Sequence, residues 1–306
     1  MKQLAALLIM TIVHPGAQAH EALSLTEILE SFGTDLAAAQ VRSETIAPGL
    51  HVLFGAGGNV LVSIGEQGVL MVDSQFPEMI PKLQAAIHEL GGGDVDFTIN
   101  THWHFDHADG NPLLGREGSW FISQINSRRM MQRENTLDYG DRIYIQAPYP
   151  LDGLPVLTFD DQMQMFFNGQ RVDILHFGAA HTTGDAVVFF RSDNVIHMGD
   201  VFFARYPFID TAFGGDLNGM IHFCESVLAR IDEQTRVIPG HGPVMSYSDV
   251  VEFVAMLETV RSRVNTLIDR GYSLAAVREA KPTAQFDTRY GNPNLFIRGA
   301  YDSLSK

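Results

Sequence analysis

The segment Thr101-His102-Trp103-His104-Phe105-Asp106-His107 constrains this chain more than any other stretch. It follows directly on a β-type run, Phe97 to Asn100, and on an extended backbone His102 and His104 point the same way. A turn after them swings Asp106 and His107 back to the same spot, so four side chains of ligand type converge within six residues. Imidazole nitrogens with a carboxylate, and no cysteine among them, suit zinc or another borderline first-row metal.

Three more residues of that type stand in the same kind of place, each just past an apolar β-type run and each beside or close to glycine. His181 comes after Ile174 to Ala180, Asp200 after Val195 to Gly199, and His241 after Val237 to Gly240. Strand ends at one edge of a sheet are where α/β folds assemble sites, and glycine lets the backbone turn tightly beside a ligand. A lone histidine in such a place is usually an ordinary core or surface residue. Seven together reverse that expectation.

The wider pattern supplies the scaffold. Short β-rich runs at His51 to Phe54, Asn59 to Ile64 and Val69 to Val72, separated by glycine-containing turns, predict a meander. Met79 to Leu90 has helical period and ends at Gly91-Gly92-Gly93. Strands are expected near Trp120 to Ser123, Gln164 to Phe167, Val172 to His176, Ala186 to Phe190, Asn194 to Met198 and Arg236 to Ile238. Helices are expected over Asp216 to Ile231 and from Ser248 onward. Both halves mix strands with helices and no linker divides them, which suggests two sheets covered by helices.

The ordered set H-x-H-x-D-H at His102 to His107, H-T-x-G-D at His181 to Asp185, Gly199-Asp200 and P-G-H-G at Pro239 to Gly242 resembles the metallo-β-lactamase superfamily. The resemblance runs from about Ile46 to about Leu267 and implies an α+β fold, a four-layer αββα sandwich with its site at one edge between the sheets. A single domain over residues 20–306, with helices at its C-terminal end, is expected. The resemblance also implies that His102, His104 and His181 hold a first metal ion, that Asp106, His107 and His241 hold a second, and that Asp200 bridges them. The ions it implies are two zincs, with iron or manganese as alternatives. Asp73 would brace the metal-binding loop, and Thr182 and Asp185 would orient ligands.

The activity implied is hydrolysis of an ester, thioester, lactone or amide by a metal-bridging hydroxide, with Asp106 orienting the water and carrying its proton toward the leaving group. Many lactamases of the family carry cysteine where this chain has Asp200. The aspartate is closer to glyoxalase II and lactonases. β-Lactam cleavage stays as an alternative, weakened because Phe203 stands near where lactamases often carry a cation. An iron-dependent redox enzyme on the same fold is the alternative of another class. Substrate contacts are expected from Phe202, Phe203, Arg205 and Tyr206, directly after Asp200, and from Tyr139 to Tyr149. Asn126 to Arg133 is a candidate cap, although Met130-Met131 reads as core.

Charge narrows the partners. The formal net charge is −15, from 36 acidic against 21 basic side chains, which disfavours a phosphate backbone or an anionic membrane surface and points to a small-molecule substrate. Lys2, the apolar run Leu4 to Val13 and Ala17-Gln18-Ala19 have the order of an export signal cut after Ala19, so a periplasmic protein is expected. That run is too short to span a bilayer. Cys224 is the only cysteine and sits in an apolar-periodic stretch, which predicts a buried thiol with no internal disulfide. The oligomeric state has no signature.

Overall fold

The computed structural model describes residues 22–306, so the expected leader at residues 1–19 lies outside the described residues. Two mixed β-sheets face one another. The first has the strand order Leu157–Phe159, Trp120–Gln124, Val95–Ile99, Gly68–Val72, Val60–Gly65, Leu50–Phe54, Arg42–Ala47. Its half nearest the chain start is the antiparallel meander, and its other three neighbour pairs are parallel. The second runs Gln162–Phe167, Gln170–Leu175, Val187–Phe190, Val195–His197, Arg236–Ile238, Met245–Ser246, with one parallel pair in the middle.

Strand periodicity explains the layering. Leu61 faces the opposing sheet with Leu50, Val52, Leu70 and Val72, where they meet Ile174, Val188 and Phe190 of the second sheet. Val60, Val62, Val69 and Met71, one residue out of phase, face the other way onto the helix Ile80–Glu89 through Ile80, Leu83 and Ile87. Alternation of this kind, apolar on both sides, is what a sheet covered on both faces requires. The outer face of the second sheet meets the helices Leu217–Leu228, Tyr247–Asp269 and Asn294–Leu304 through Phe223, Phe253 and Phe296. The result is the αββα order of layers.

The elements start and stop where local chemistry dictates. The long helix Tyr247–Asp269 opens on a capping box in which the Ser246 side chain accepts from Asp249 N and the Asp249 carboxylate accepts from Ser246 N. Cys224 lies on the buried face of its helix, as expected, and burial pushes its thiol far up.

Two features depart from the expected pattern. A separate three-stranded sheet, ordered Ala22–Leu23, Ile143–Gln146, Asn135–Asp138, stands where only a loop is legible. The segment expected to cap the site forms the helix Ile125–Met131, whose Met130 and Met131 are buried against the first sheet. Its polar side braces a site loop, because Ser127 Oγ donates to Gly184 O and Asn126 Nδ2 to Thr183 O. Among the described residues no helix is long and apolar enough to cross a membrane.

Candidate metal centre

Each ligand-type side chain leaves the end of a strand at the same rim of the sandwich. The strand Val95–Ile99 delivers His102 and His104, and the short helix Phe105–Ala108 that follows carries Asp106 and His107. Leu175 leads to His181, His197 leads to the turn Gly199–Val201 with Asp200, and Ile238 leads to His241. Two glycines make room for them. A Cβ on Gly58 would fall 2.1 Å from His107 Cε1, and one on Gly240 would fall 1.9 Å from Asp200 Oδ1. Asp73 takes up a left-handed backbone, φ 62°, just past the strand Gly68–Val72, a conformation aspartate tolerates better than most residues.

All seven residues meet. Ligand atoms of His102, His104 and His181 lie within 4.8 Å of one another, as do those of His102, His107 and Asp200, and those of Asp106, His107 and His241. Asp200 lies between the groups, with Oδ2 3.6 Å from His181 Nε2 and Oδ1 3.0 Å from His107 Nε2. On the far side, His241 Nε2 is 3.1 Å from Asp106 Oδ2 and 3.2 Å from His107 Nε2.

The protons of these rings reveal what the cluster suits. His104 Nε2 donates to Asp210 Oδ2 at 2.9 Å, His181 Nδ1 donates to Phe208 O at 2.7 Å, and His107 Nδ1 donates to Asp73 Oδ2 at 2.7 Å. Thr101 Oγ1 donates to Asp73 and so accepts from His102 Nδ1 at 3.1 Å. A neutral imidazole has one N–H, and each of these four is committed outward. The inward nitrogens therefore present lone pairs to a shared space. His104 Nδ1 faces His181 Nε2 at 2.8 Å, while His102 Nε2 and Asp200 Oδ1 are buried with no hydrogen-bond partner among the described residues. Facing lone pairs and orphaned buried acceptors are costly unless a cation sits among them, so this donor set fits borderline divalent metal ions.

The electrostatics agree. Burial, and then the neighbouring imidazoles, hold His102 well below the usual histidine range. Burial opposes charge on His107 too, yet Asp200, Asp106 and Asp73 together raise it well above that range: three carboxylates around one ring call for a positive charge, which a proton on the inward nitrogen supplies where no cation takes that place. Burial would raise Asp106, but the charge of His107 and the hydrogen bond from His241 bring it well below the usual carboxylate range. Thr182 donates twice to Asp185, from its N at 2.8 Å and its Oγ1 at 2.6 Å, which fastens the loop behind His181. Burial pushes Asp185 up to about 6 against those two bonds.

Some expectations need correction. Phe202 and Tyr206, expected to touch substrate, point into the core behind the second sheet. Phe202 packs edge-on against Phe253, and Tyr206 stacks on Phe296 and donates to Asp287. After Gly199–Val201 the run Phe203 to Arg205 lines the cleft, while Phe202 and Tyr206 on either side of it turn inward. From the Tyr139 to Tyr149 stretch, Tyr139 lines the cleft, whereas Tyr149 is tied down by its bond to Asp109 at 2.6 Å. His176 and His197 are structural: the first donates to Asp185 O and the second to Asn59 O. Asp210 and Phe208, which hold His104 and His181, have no signal in the sequence, because they sit in an irregular stretch with no motif around them.

The sequence matches the metallo-beta-lactamase superfamily over residues 54–241. Among solved structures, the fold is similar to a metallo-beta-lactamase from Pontibacter korlensis, at 18% identity and a TM-score of 0.59 over 72% of this chain and 99% of that one. It is also similar to the DIM-1 metallo-beta-lactamase, at 17% identity and a TM-score of 0.57 over 72% of this chain and 98% of that one. Identities this low establish a shared fold and nothing finer. With the match spanning residues 54–241 and a His/Asp cluster able to bind metal at the rim of its αββα sandwich, the chain belongs to the metallo-beta-lactamase superfamily.

Proposed function

We propose that this chain is a metal-dependent hydrolase that uses a pair of zinc ions to cleave an ester, thioester, lactone or amide bond of a small substrate. The observation that carries the reading is the set of four imidazoles whose protons all point outward, leaving lone pairs and two carboxylates aimed at one space. His102, His104 and His181 would hold one ion, Asp106, His107 and His241 the other, with Asp200 between. Bound there, such ions supply Lewis acidity toward a carbonyl and lower the pKa of water.

The chain's own groups then have defined tasks. Asp73, Asp210 and the Phe208 carbonyl fix the rings so that no reorganisation is needed during reaction. Asp106 is the ligand carboxylate that opens on the cleft, its side chain 22% exposed, and it orients the incoming water and takes its proton. In the balanced step the water oxygen bonds to the acyl carbon and the bond from that carbon to the leaving O, S or N breaks. The proton held at Asp106 passes to the leaving atom.

A purified sample stripped with a chelator and reloaded with zinc, manganese or iron tests the reading against a panel of chromogenic esters, a lactone and a cephalosporin. Stripping is expected to cut the best rate by about 100-fold or more, and reloading to restore it. Hydrolysis that survives complete metal removal overturns the proposal. Cephalosporin cleavage is a second reading, favoured by the two structural neighbours, both metallo-beta-lactamases. The same panel decides it.

A further inference from the structure

The cleft above the centre encloses about 700 Å³, within the range of small-molecule sites. Its walls are aromatic on both sides of the ligand cluster. Phe208 lies 5.9 Å from the His181 ring and stacks toward Tyr139 at 5.3 Å, and Tyr139 meets Phe32 edge-on at 5.2 Å. Across the cleft, Phe203 lies over His241 at 5.0 Å. Phe32 is 46% exposed, a large apolar side chain spent on the rim of the cleft. These aromatic faces suit an apolar or aromatic body.

The charges are as selective. Apart from the candidate metal ligands, the only formally charged side chains lining the cleft among the described residues are Arg42 and Arg205, in a chain whose net charge is −15. Arg205 is exposed and makes no hydrogen bond or ion pair among the described residues. Arg42 is oriented by stacking 3.9 Å over the Phe54 ring. Its one ion pair, to Glu44 at 3.2 Å, is solvent-exposed at both ends and so weak, and most of its guanidinium donors remain available. Arg42 lies over Phe54, so one cation adjoins an aromatic face, and Arg205 lines the same cleft as Phe203.

We propose that the substrate is an amphiphilic anion, an acyl compound with an apolar or aromatic body and a carboxylate-type group, which Arg205 and Arg42 bind while the aromatic walls hold the body. This assignment rests on the hydrolase reading for its reaction, and its binding half can be tested without turnover. A bidentate guanidinium contact to a carboxylate beside an apolar wall is stronger than the same contact in open water.

The test is calorimetric titration of the metal-loaded protein with 4-phenylbutyrate and with its neutral amide, 4-phenylbutyramide, at low salt. The carboxylate is expected to bind about ten-fold more tightly than the amide. In an Arg42→Gln/Arg205→Gln double variant that preference should fall to about two-fold or less, whereas Arg205→Lys, which keeps the charge but loses the planar fork, should keep only part of it. Metal content equal to the unmodified chain's shows that the exposed substitutions leave the centre intact. Three results overturn the proposal: equal binding of acid and amide, no binding of either, or a preference undiminished in the double variant, which would assign the carboxylate to the metal centre. Esters hydrolysed without this preference would sink the inference alone, and the preference without any hydrolysis would sink only the catalytic reading.

Discussion

What single side chains contribute to this site is largely done from behind. Each of four imidazoles is held by an acceptor on its outer nitrogen, and that acceptor decides which nitrogen is left for a metal ion. Asp210 is the sharpest case, since its bond to His104 Nε2 leaves Nδ1 facing inward. Asp210→Asn keeps the size but lets the amide donate instead of accept, which favours the wrong tautomer. The expected outcome is a loss of about 10- to 100-fold in zinc affinity, read by competition with a chromophoric chelator, with the fold retained by circular dichroism. Unchanged affinity would mean that the bond has no positioning role. The seven ligand-type residues were legible in sequence because their types cluster after β-type runs. Asp210 was not, since 106 positions separate it from its partner. Phe202 and Tyr206 misled for the opposite reason: they sit near Asp200 in the chain, but they pack into the core against Phe253 and Phe296.

At the level of elements, strands were readable wherever burial on both faces leaves a nearly continuous apolar run, as at Val60 to Ile64. The strands Asn135–Asp138 and Ile143–Gln146 escaped because the first is mostly polar and both are short. The outer end of the second sheet is fastened by charge. Asp173 accepts from Arg171 at 2.9 Å, from Gln164 at 2.8 Å and from Arg191 at 2.6 Å, so one carboxylate ties three neighbouring strands. Burial would raise this acid, but those bonds and the Arg191 charge bring it from 3.8 down to about 2. A depressed folded-state pKa stabilises at pH above the unfolded value, and that stability is lost as pH falls from about 4 toward 2. Asp173→Asn should therefore cost about 1–2 kcal/mol at pH 7, and the deficit should shrink as pH drops below 4. Urea unfolding at a series of pH values checks this, and a deficit independent of pH would contradict it.

Across the whole molecule, the same rim gathers residues from both sheets, and the mutual repulsion of their lone pairs and carboxylates is what a cation bound among them would relieve. The layer order was legible, since two sets of mixed elements with no linker leave few ways to bury their apolar faces. The route of the chain between Asp200 and the helix Leu217–Leu228, which supplies one wall of the cleft, was not, because it has no periodicity to read. A metal that binds only the folded chain must stabilise it, so zinc should raise the unfolding temperature in step with occupancy. The most direct test of a two-ion centre is the metal content of the purified protein after exhaustive dialysis against micromolar zinc. About two ions per chain are expected, falling to about one or fewer in a His104→Ala/His181→Ala variant that still folds. A folded, unmodified protein that retains no stoichiometric metal would contradict such a centre.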